Sequence, residues 1–256
     1  MAETKKIPVA GFMSPPGWLD PSPEEFRTIL DGPAIIQQTM MPIYNFVFGK
    51  IANIAGTLPE MLYCARQLGS AESDVIAHTG TPFGWAGLGT EREARDRRDL
   101  MVDAAGGVPV VMAGLAILDG LRALGAEKLA ISTPYYTKEW KEAWSAIVTS
   151  GGFDILTMQS MDEQGLVPAD GNIDDHGWMM KPENIIASAV RVARDCPGAQ
   201  AVVITGAGAR TMLLTPEIEK QTGLPVVASD TALFWAMARE IDVPLKPGSL
   251  GRLTTA

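Results

Sequence analysis

The chain has 256 residues, of which 46% are hydrophobic and 20% charged, as is typical of a globular protein of one or two domains. A net charge of −9 and a pI near 4.8 argue against a nucleic-acid or anionic-membrane partner, because phosphate binding needs clustered Lys and Arg. The longest apolar run, Val108–Leu118, is too short to cross a bilayer, and the N-terminus lacks a signal-peptide core, so a cytoplasmic protein is predicted. The acidic composition and several tryptophans that look exposed hint at a homo-oligomer.

The first predicted strand, Lys6–Phe12, is broken by a turn of sequence SPPGW at residues 14–18. Two prolines and a glycine fix a rigid turn at the carboxyl end of a strand. Pro15, Pro16 and Gly17 are therefore candidates for one wall of a site, although a stiff connection alone would also explain them.

Short apolar runs alternate with amphipathic segments along the rest of the chain, which predicts an α/β fold with parallel sheets. The predicted strands are Ala34–Thr39, Asp74–His78, Val108–Val111, Lys128–Ser132, Phe153–Gln159, Ala201–Ile204 and Val226–Ser229. The predicted helices are residues 21–30, Leu58–Leu68, Thr90–Ala105, Leu115–Leu124, Thr137–Thr149, Pro182–Asp195 and a segment with Pro216 in its first turn. The charged segment Thr90–Ala105 is interpreted as a solvated outer face.

One strand, turn, helix and strand pattern occurs twice. Thr79-Gly80 and Thr205-Gly206 each end a strand, and G-[VL]-P-V-V opens the next strand at residues 107–111 and 223–227. The repeat predicts two similar α/β halves with a binding crevice between the carboxyl ends of their strands, although this pentapeptide is also a common way to enter a buried strand. We assign residues 1–117 with 228–256 to the first half and 118–227 to the second.

The small-residue turn at residues 205–209 follows a buried strand, where backbone N–H groups can meet an anion. Tyr135 and Tyr136 follow another strand, so their hydroxyls are well placed to donate to a substrate oxyanion. His78 ends a strand on the face opposite Thr79; it could act as a base, but a structural role is favoured.

Cysteine and metal chemistry are not favoured by the sequence. Cys64 and Cys196 lie in predicted helices rather than after strands, and no zinc-ligand spacing is present. Residues 174–176, Asp-Asp-His, lie in a long acidic loop where a lone histidine makes a metal site improbable.

Several motifs together resemble the arylmalonate decarboxylase and maleate isomerase branch of the aspartate/glutamate racemase superfamily. They are the SPPG turn, the strand ending TGTP, LDGLRALG followed by STPYY, TGAG with TPEIEKQTGLPVVASDTALFWAMA, and a terminal GSLGRL. The resemblance covers nearly the whole chain. It implies two pseudosymmetric Rossmann-like halves, an active site between them, and no metal or organic cofactor.

The chain departs from this family at two positions. Racemases and maleate isomerases of the family carry a cysteine after the equivalent strand of each half, and the decarboxylase keeps only the second. Those positions fall on Gly80 and Gly206. Without these two thiols, the chain lacks the groups that two-base racemisation and isomerisation through a thiol adduct require.

The resemblance assigns a carboxylate-binding and oxyanion role to the hydroxyls of Thr81 and Tyr135 and the N–H groups of Gly206 and Ala207. A serine that belongs to the oxyanion hole of the family is replaced here by Pro82. The predicted substrate-binding set lines the same crevice: Pro15, Pro16, Gly17, Gly80, Pro82, Tyr136 and Thr205.

These residues predict a cofactor-free lyase that acts on a small carboxylate or dicarboxylate through an enediolate, by decarboxylation or by addition or elimination of water. The alternatives are an isomerase or racemase that works without thiols, and a non-catalytic carboxylate-binding protein. The group that supplies the proton stays open among Tyr135, Tyr136, His78, Asp230 and water, with Asp230 more simply explained as a helix N-cap.

Overall fold

Two parallel β-sheets form the framework of the chain. The computed structural model describes residues 6–17, 20–168 and 180–256. The first sheet contains β1 (Val9–Ser14), β2 (Ile35–Met40), β3 (Val75–His78) and β4 (Val110–Met112), in the spatial order β2-β1-β3-β4. The second contains β5 (Lys128–Ser132), β6 (Asp154–Gln159), β7 (Ala201–Ile204) and β8 (Val226–Ala228), in the equivalent order β6-β5-β7-β8. Every strand pair in both sheets is parallel.

Helices connect and flank the strands. They are α1 (Ser22–Ile29), α2 (Ile51–Ala55), α3 (Leu58–Ser70), α4 (Thr81–Trp85), α5 (Glu91–Ala104), α6 (Ala113–Ala123), α7 (Lys138–Ser150), α8 (Pro182–Asp195), α9 (Thr215–Thr222) and α10 (Ser229–Glu240), followed by a 3₁₀ helix at Gly251–Thr255. Within the described ranges, none of these helices combines the length and the apolarity that a membrane span needs.

The predicted α/β fold with two similar halves is confirmed by the matching strand orders. The central strands β3 and β7 are buried along their whole length, as continuous apolar runs in a parallel sheet should be. The boundaries that we assigned to the halves stay a prediction: one falls inside α6 and the other inside β8.

Helices α6 and α10 pack against each other between the two sheets. Helix α6 contacts β4 and β8, and α10 contacts β3, β4 and β8, so each helix touches both sheets. One hydrophobic core therefore runs across the halves, from Phe12 on β1 to Trp144 on α7 and Phe234 on α10, and a second, smaller one lies within the second half.

Helix α5 exposes one charged face, as its charge pattern predicts, but it also buries two charged residues on the other face. Glu91 and Arg97 are buried, and Arg97 Nη1 donates to the carbonyl oxygen of Phe83 over 2.9 Å. Hydropathy marks these residues as surface because it does not show that a charged side chain has a polar partner inside the protein.

Glu91 joins three helices. Its carboxylate accepts hydrogen bonds from Arg95 on α5 and Arg122 on α6, both as short as 2.6 Å, and its N–H donates to Ser150 Oγ on α7. Burial alone would raise the pKa of Glu91, but the bonds and charges of Arg122 and Arg95 lower it below its ordinary value.

We expect Glu91→Gln to lower the free energy of unfolding at pH 7 by about 1–3 kcal/mol, because hydrogen bonds from charged groups contribute about this much. The loss should fade in acid. A carboxyl with a lowered folded-state pKa stabilises above its unfolded pKa and loses that effect as the pH falls through the folded one. Urea unfolding at pH 7 and at pH 4 measures both effects.

The matched control is Asp99→Asn, since Asp99 is exposed and pairs with its neighbour Arg98. That change should cost no more than about 0.5 kcal/mol. Equal losses in the two variants would contradict a role for Glu91 in joining the helices.

Candidate active site

The carboxyl ends of the central strands carry the predicted site residues. In the first sheet β1 and β3 are central, and in the second β5 and β7. The segments that follow these strands are residues 15–17, 79–82, 133–136 and 205–210. Because parallel strands end on one edge of a sheet, each pair of segments lies side by side.

The two sheet edges face each other. Arg210, which follows β7, donates through Nε to Glu25 on α1 over 3.2 Å and through Nη2 to Ser22 Oγ over 3.3 Å. Elsewhere along the edges, the Trp85 ring of α4 contacts the Tyr136 ring with 5.8 Å between centroids. Residues of the two halves therefore contact each other across the predicted crevice.

The Tyr135 hydroxyl lies against the backbone of Gly206. Gly206 has a φ of 109°, and a β-carbon built on it would lie 2.5 Å from the Tyr135 hydroxyl oxygen. A side chain at this position would therefore combine left-handed backbone strain with a steric clash. The tyrosine hydroxyl takes up the volume that a side chain at residue 206 would occupy.

The Ala207–Gly208 peptide links Arg210 to Tyr135. Arg210 Nη1 donates to the carbonyl oxygen of Ala207 over 3.1 Å, and the Gly208 N–H donates to the Tyr135 hydroxyl over 3.3 Å. Burial raises the pKa of Tyr135 above its ordinary value, although the Gly208 N–H and the Arg210 charge each act to lower it. Tyr135 is therefore a protonated phenol at neutral pH and can donate a hydrogen bond.

Arg210 is held as a cation. Burial alone would lower its pKa, but the carboxylates of Asp230, Glu25 and Asp20 raise the pKa above its ordinary value. The closest of these contacts joins the guanidinium to Glu25 across the crevice.

The two backbone donors expected at residues 206 and 207 differ in their availability. The Gly206 N–H donates to Ser229 Oγ over 2.9 Å in a buried bond, so it is occupied within the protein. The Ala207 N–H has no hydrogen-bond partner among residues 6–17, 20–168 and 180–256. Of this pair, Ala207 is the donor that can meet a ligand.

Tyr136 and Thr205 bind each other. Their hydroxyl oxygens lie 3.0 Å apart, and the Tyr136 ring is buried against Trp85 and Trp140. Burial raises the pKa of Tyr136 well above its ordinary value. Both residues therefore brace the turns that follow β5 and β7, and the substrate contact expected of them stays a prediction.

Thr81 has a buried hydroxyl that lacks a partner. It opens α4, is 0% exposed, and its Oγ1 has no hydrogen-bond partner among the described residues. Buried polar atoms in native structures are nearly always hydrogen-bonded, so the Thr81 hydroxyl retains a hydrogen-bonding capacity that a ligand can use.

The rigid turn after β1 lies against the equivalent turn after β3. A β-carbon built on Gly80 would lie 3.0 Å from Pro15 and 2.7 Å from Phe83. Pro15 and Pro16 are buried and Gly17 is exposed, while Pro82 is buried in the first turn of α4. These residues form a closely packed wall on the first-sheet side of the crevice.

His78 has no polar partner. Both ring nitrogens are buried without a hydrogen bond in the described part of the chain, and the ring contacts Phe83 with 6.3 Å between centroids. Burial, reinforced by the charge of Arg97, lowers the pKa of His78 to about 4. His78 is thus a neutral imidazole at pH 7.

Asp230 binds a loop. Its carboxylate accepts hydrogen bonds from the N–H of Thr211 over 2.7 Å and of Met212 over 3.1 Å, and from the Thr211 hydroxyl. Asp230 lies inside the first turn of α10, whose N-cap is Ala228. The expected helix N-cap is therefore replaced by a carboxylate that fixes the segment after Arg210.

Neither cysteine lies at the crevice. Cys64 is buried in the middle of α3, where burial raises its pKa to about 11. Cys196 ends α8, which leads to the amino end of β7, so it lies at the sheet edge opposite the site.

Across the described residues, no group of three or more His, Cys, Asp or Glu is arranged to hold a metal ion. The Asp-Asp-His segment at residues 174–176 and Trp18 of the first turn lie outside the described residues.

Arg210 and Ser229 were not anticipated from the sequence. Arg210 follows a run of glycines and alanines and Ser229 precedes Asp230, but neither belongs to a motif whose spacing indicates chemistry. The cation in an otherwise small, uncharged turn is the signal that could have revealed Arg210.

A family model described as arylmalonate decarboxylase matches residues 52–254. The arylmalonate decarboxylase of Bordetella bronchiseptica is 28% identical over 135 residues, which are 53% of this chain and 52% of that protein. The match therefore spans about half the length of that relative. The maleate isomerase of Pseudomonas putida is 25% identical over 197 residues, covering 75% of this chain and 74% of that protein.

A solved structure of the maleate cis–trans isomerase of Nocardia farcinica, with a covalently bound succinylcysteine intermediate, superposes with a TM-score of 0.78. It is 21% identical and the alignment covers 97% of this chain and 98% of that one. This likeness confirms the fold. The curated relatives are enzymes, which confirms the expectation of an enzyme related to decarboxylases and isomerases.

We expect Gly206→Ala to destabilise the protein by about 1–3 kcal/mol more than Gly223→Ala, because only the first adds overpacking to backbone strain. Gly223 also has a positive φ, 71°, but a β-carbon there meets nothing within 4 Å. Chemical unfolding measures the difference, and near-ultraviolet circular dichroism should report a displaced tyrosine only in Gly206→Ala. Equal losses would contradict the contact between residue 206 and Tyr135.

We expect His78→Leu to remove part of the acid sensitivity of folding between about pH 6.5 and pH 4. His78 has a folded-state pKa of about 4 against an ordinary 6.5, so the unfolded chain binds more protons in this window and stability falls as the pH falls. Stability at pH 8 should be unchanged or higher in the variant, since two unpaired buried nitrogens are removed. Equal slopes of unfolding free energy against pH would refute this.

Proposed function

Because the chain belongs to the arylmalonate decarboxylase family, we propose that it is a lyase that removes one carboxylate from a small dicarboxylate and needs no metal or organic cofactor. Cleavage of the bond to the departing carboxylate leaves an electron pair that is delocalised into the remaining carboxylate as an enediolate. The protein then has to stabilise two oxygens that gain negative charge.

The observation that carries the proposal is the buried Thr81 hydroxyl without a protein partner. A hydroxyl in this position costs stability unless a ligand completes its hydrogen bond, and a carboxylate oxygen is such a ligand. The Tyr135 hydroxyl and the Ala207 N–H supply further donors at the carboxyl edge of the second sheet. Together they can hold a carboxylate and meet the enediolate as its charge develops.

An apolar cavity supports a substrate that carries a hydrocarbon group. A space of about 250 Å³ begins at Pro134, the residue before Tyr135, and is lined mainly by Met161, Leu166, Val167 and Met180. We propose that the substituent on the dicarboxylate occupies it, since apolar walls beside a few polar groups are typical of small-molecule sites.

Isomerisation of a dicarboxylate is the second candidate, favoured by the longer match to a maleate isomerase. The absence of both cysteines from the crevice counts against a thiol adduct such as the one in the Nocardia farcinica enzyme. A thiol-free isomerase would use the same hydroxyl donors. The cytoplasmic location and a homo-oligomeric assembly stay predictions.

The test is proton NMR in deuterated buffer on substituted malonates, maleate, and small 2-hydroxy and amino dicarboxylates. Loss of carbon dioxide with deuterium at the α-carbon supports the lyase. Exchange or geometric change without loss of mass would replace it with the isomerase. Ligand-induced shifts of protein signals with no turnover would indicate a carboxylate-binding protein.

We expect Thr81→Val to lower kcat/KM by about 100- to 1000-fold, the usual effect of removing one oxyanion donor, and Thr81→Ser to restore most of it. Thr28→Val is the matched control, because Thr28 is exposed and its hydroxyl donates to the Glu25 carbonyl of its own helix. Wild-type kcat/KM in Thr81→Val would remove the hydroxyl from the mechanism.

A further inference from the structure

The proposed decarboxylation needs an acid that the family resemblance does not supply. When the carbon–carbon bond breaks, its electron pair stays with the α-carbon, and a new carbon–hydrogen bond must form there. This inference rests on the proposed function, and the question is which described group can give the proton.

The structure argues against most of the candidate proton donors. His78 is neutral and has a pKa of about 4, so it carries no acidic imidazolium proton at neutral pH. The carboxyl oxygens of Asp230 already accept hydrogen bonds from three backbone N–H groups and a hydroxyl. The hydroxyl of Tyr136 pairs with Thr205, and both cysteines lie away from the crevice.

Tyr135 is different in position and in its hydrogen bonding. Its hydroxyl lies 2.5 Å from the point where a β-carbon of residue 206 would stand, at the end of the central strand β7. The Gly208 N–H binds the phenol oxygen as a donor, so this bond does not use the hydroxyl proton. The same N–H would stabilise the phenolate after the proton has left.

Arg210 acts on Tyr135 through one peptide group. It donates to the Ala207 carbonyl at one end of the Ala207–Gly208 peptide, and the Gly208 N–H at the other end donates to Tyr135. A cation on the carbonyl polarises the peptide and strengthens its N–H as a donor. Arg210 itself is anchored by Glu25 and Ser22 on α1, across the crevice.

We infer that the Tyr135 hydroxyl is the acid that quenches the enediolate, and that Arg210 is its positioning residue through the Ala207–Gly208 peptide. The oxygen–hydrogen bond of Tyr135 breaks as the new carbon–hydrogen bond forms, and the electron pair of the broken bond stays on the phenolate. Water then returns a proton to the phenolate, which leaves hydroxide to the buffer. A phenol that is a weak acid in water can do this because an enediolate carbon is a much stronger base than a phenolate.

The first experiment follows the configuration of the product. A 2-aryl-2-methylmalonate has two equivalent carboxylates, and its monoacid product becomes chiral when the proton arrives. The wild type should give one enantiomer in excess, since Tyr135 donates from one face. Tyr135→Phe should lower kcat by about 100- to 10,000-fold and give a nearly racemic residual product, because water can approach both faces.

Tyr63→Phe is the matched control, as Tyr63 is exposed on α3 and its hydroxyl accepts from Gln67. A Tyr135→Phe enzyme that keeps the wild-type enantiomeric excess overturns the inference, even if its kcat falls through loss of an oxyanion donor. If the wild type releases no carbon dioxide from any malonate, the proposed function and this inference fall together. If it does release carbon dioxide while Tyr135→Phe matches it, only the inference falls.

The second experiment separates positioning from folding. Arg210→Lys keeps the charge but cannot hold Glu25 and the Ala207 carbonyl in the same fork geometry. We expect kcat to fall by about 10- to 100-fold with KM within about threefold, and the enantiomeric excess to drop. Arg239→Lys is the control, because Arg239 also donates to a carbonyl, that of Ala256, away from the crevice.

Glu25→Gln leaves Arg210 in place but weakens its anchor, and kcat and enantiomeric excess are measured in the same way. This variant tests the positioning role if Arg210→Lys does not fold. Glu25→Gln should lower both kcat and enantiomeric excess, each by a smaller factor than Arg210→Lys does. A loss of unfolding free energy in either variant, with unchanged enantiomeric excess and kcat, would mean that Arg210 only holds the two halves together.

Discussion

The half-buried guanidinium of Arg210 is the contact on which the geometry of the crevice depends. It lies after the central strand of one sheet and binds Glu25 and Ser22 on the helix that follows the central strand of the other. Arginine suits this place, since its planar fork can serve a carboxylate and a carbonyl together and keeps its charge when buried. Because the same guanidinium also donates to the Ala207 carbonyl, it connects the facing sheet edge to the turn that carries Ala207 and Gly208.

Glycine at residue 206 makes that turn compatible with Tyr135. A φ of 109° and the absence of a β-carbon let the phenol approach the backbone where a side chain would otherwise stand. This chain thereby places a tyrosine hydroxyl at the end of β7.

The polar groups near the crevice fall into two physical classes. Tyr136, Thr205, Ser229 and Asp230 are satisfied by one another or by backbone, and they rigidify the turns that follow the strands. Thr81 and the Ala207 N–H lack partners within the described residues, and so remain available to a ligand. The hydrogen-bonded groups hold the turns that carry the donors without partners.

The sequence by itself determined the alternation of strands and helices, the two similar halves and the strand ends where the site would lie, because apolar runs and glycine turns are local signals. It also predicted Tyr135 from its place after a strand, and Thr81 from the family resemblance. Only the tertiary structure decided that Glu91 and Arg97 are buried, that the Gly206 N–H is occupied by Ser229, and that Arg210 reaches Tyr135 through a peptide. Those facts depend on contacts between residues far apart in the chain, and neither periodicity nor spacing records which distant partner a buried polar group will find.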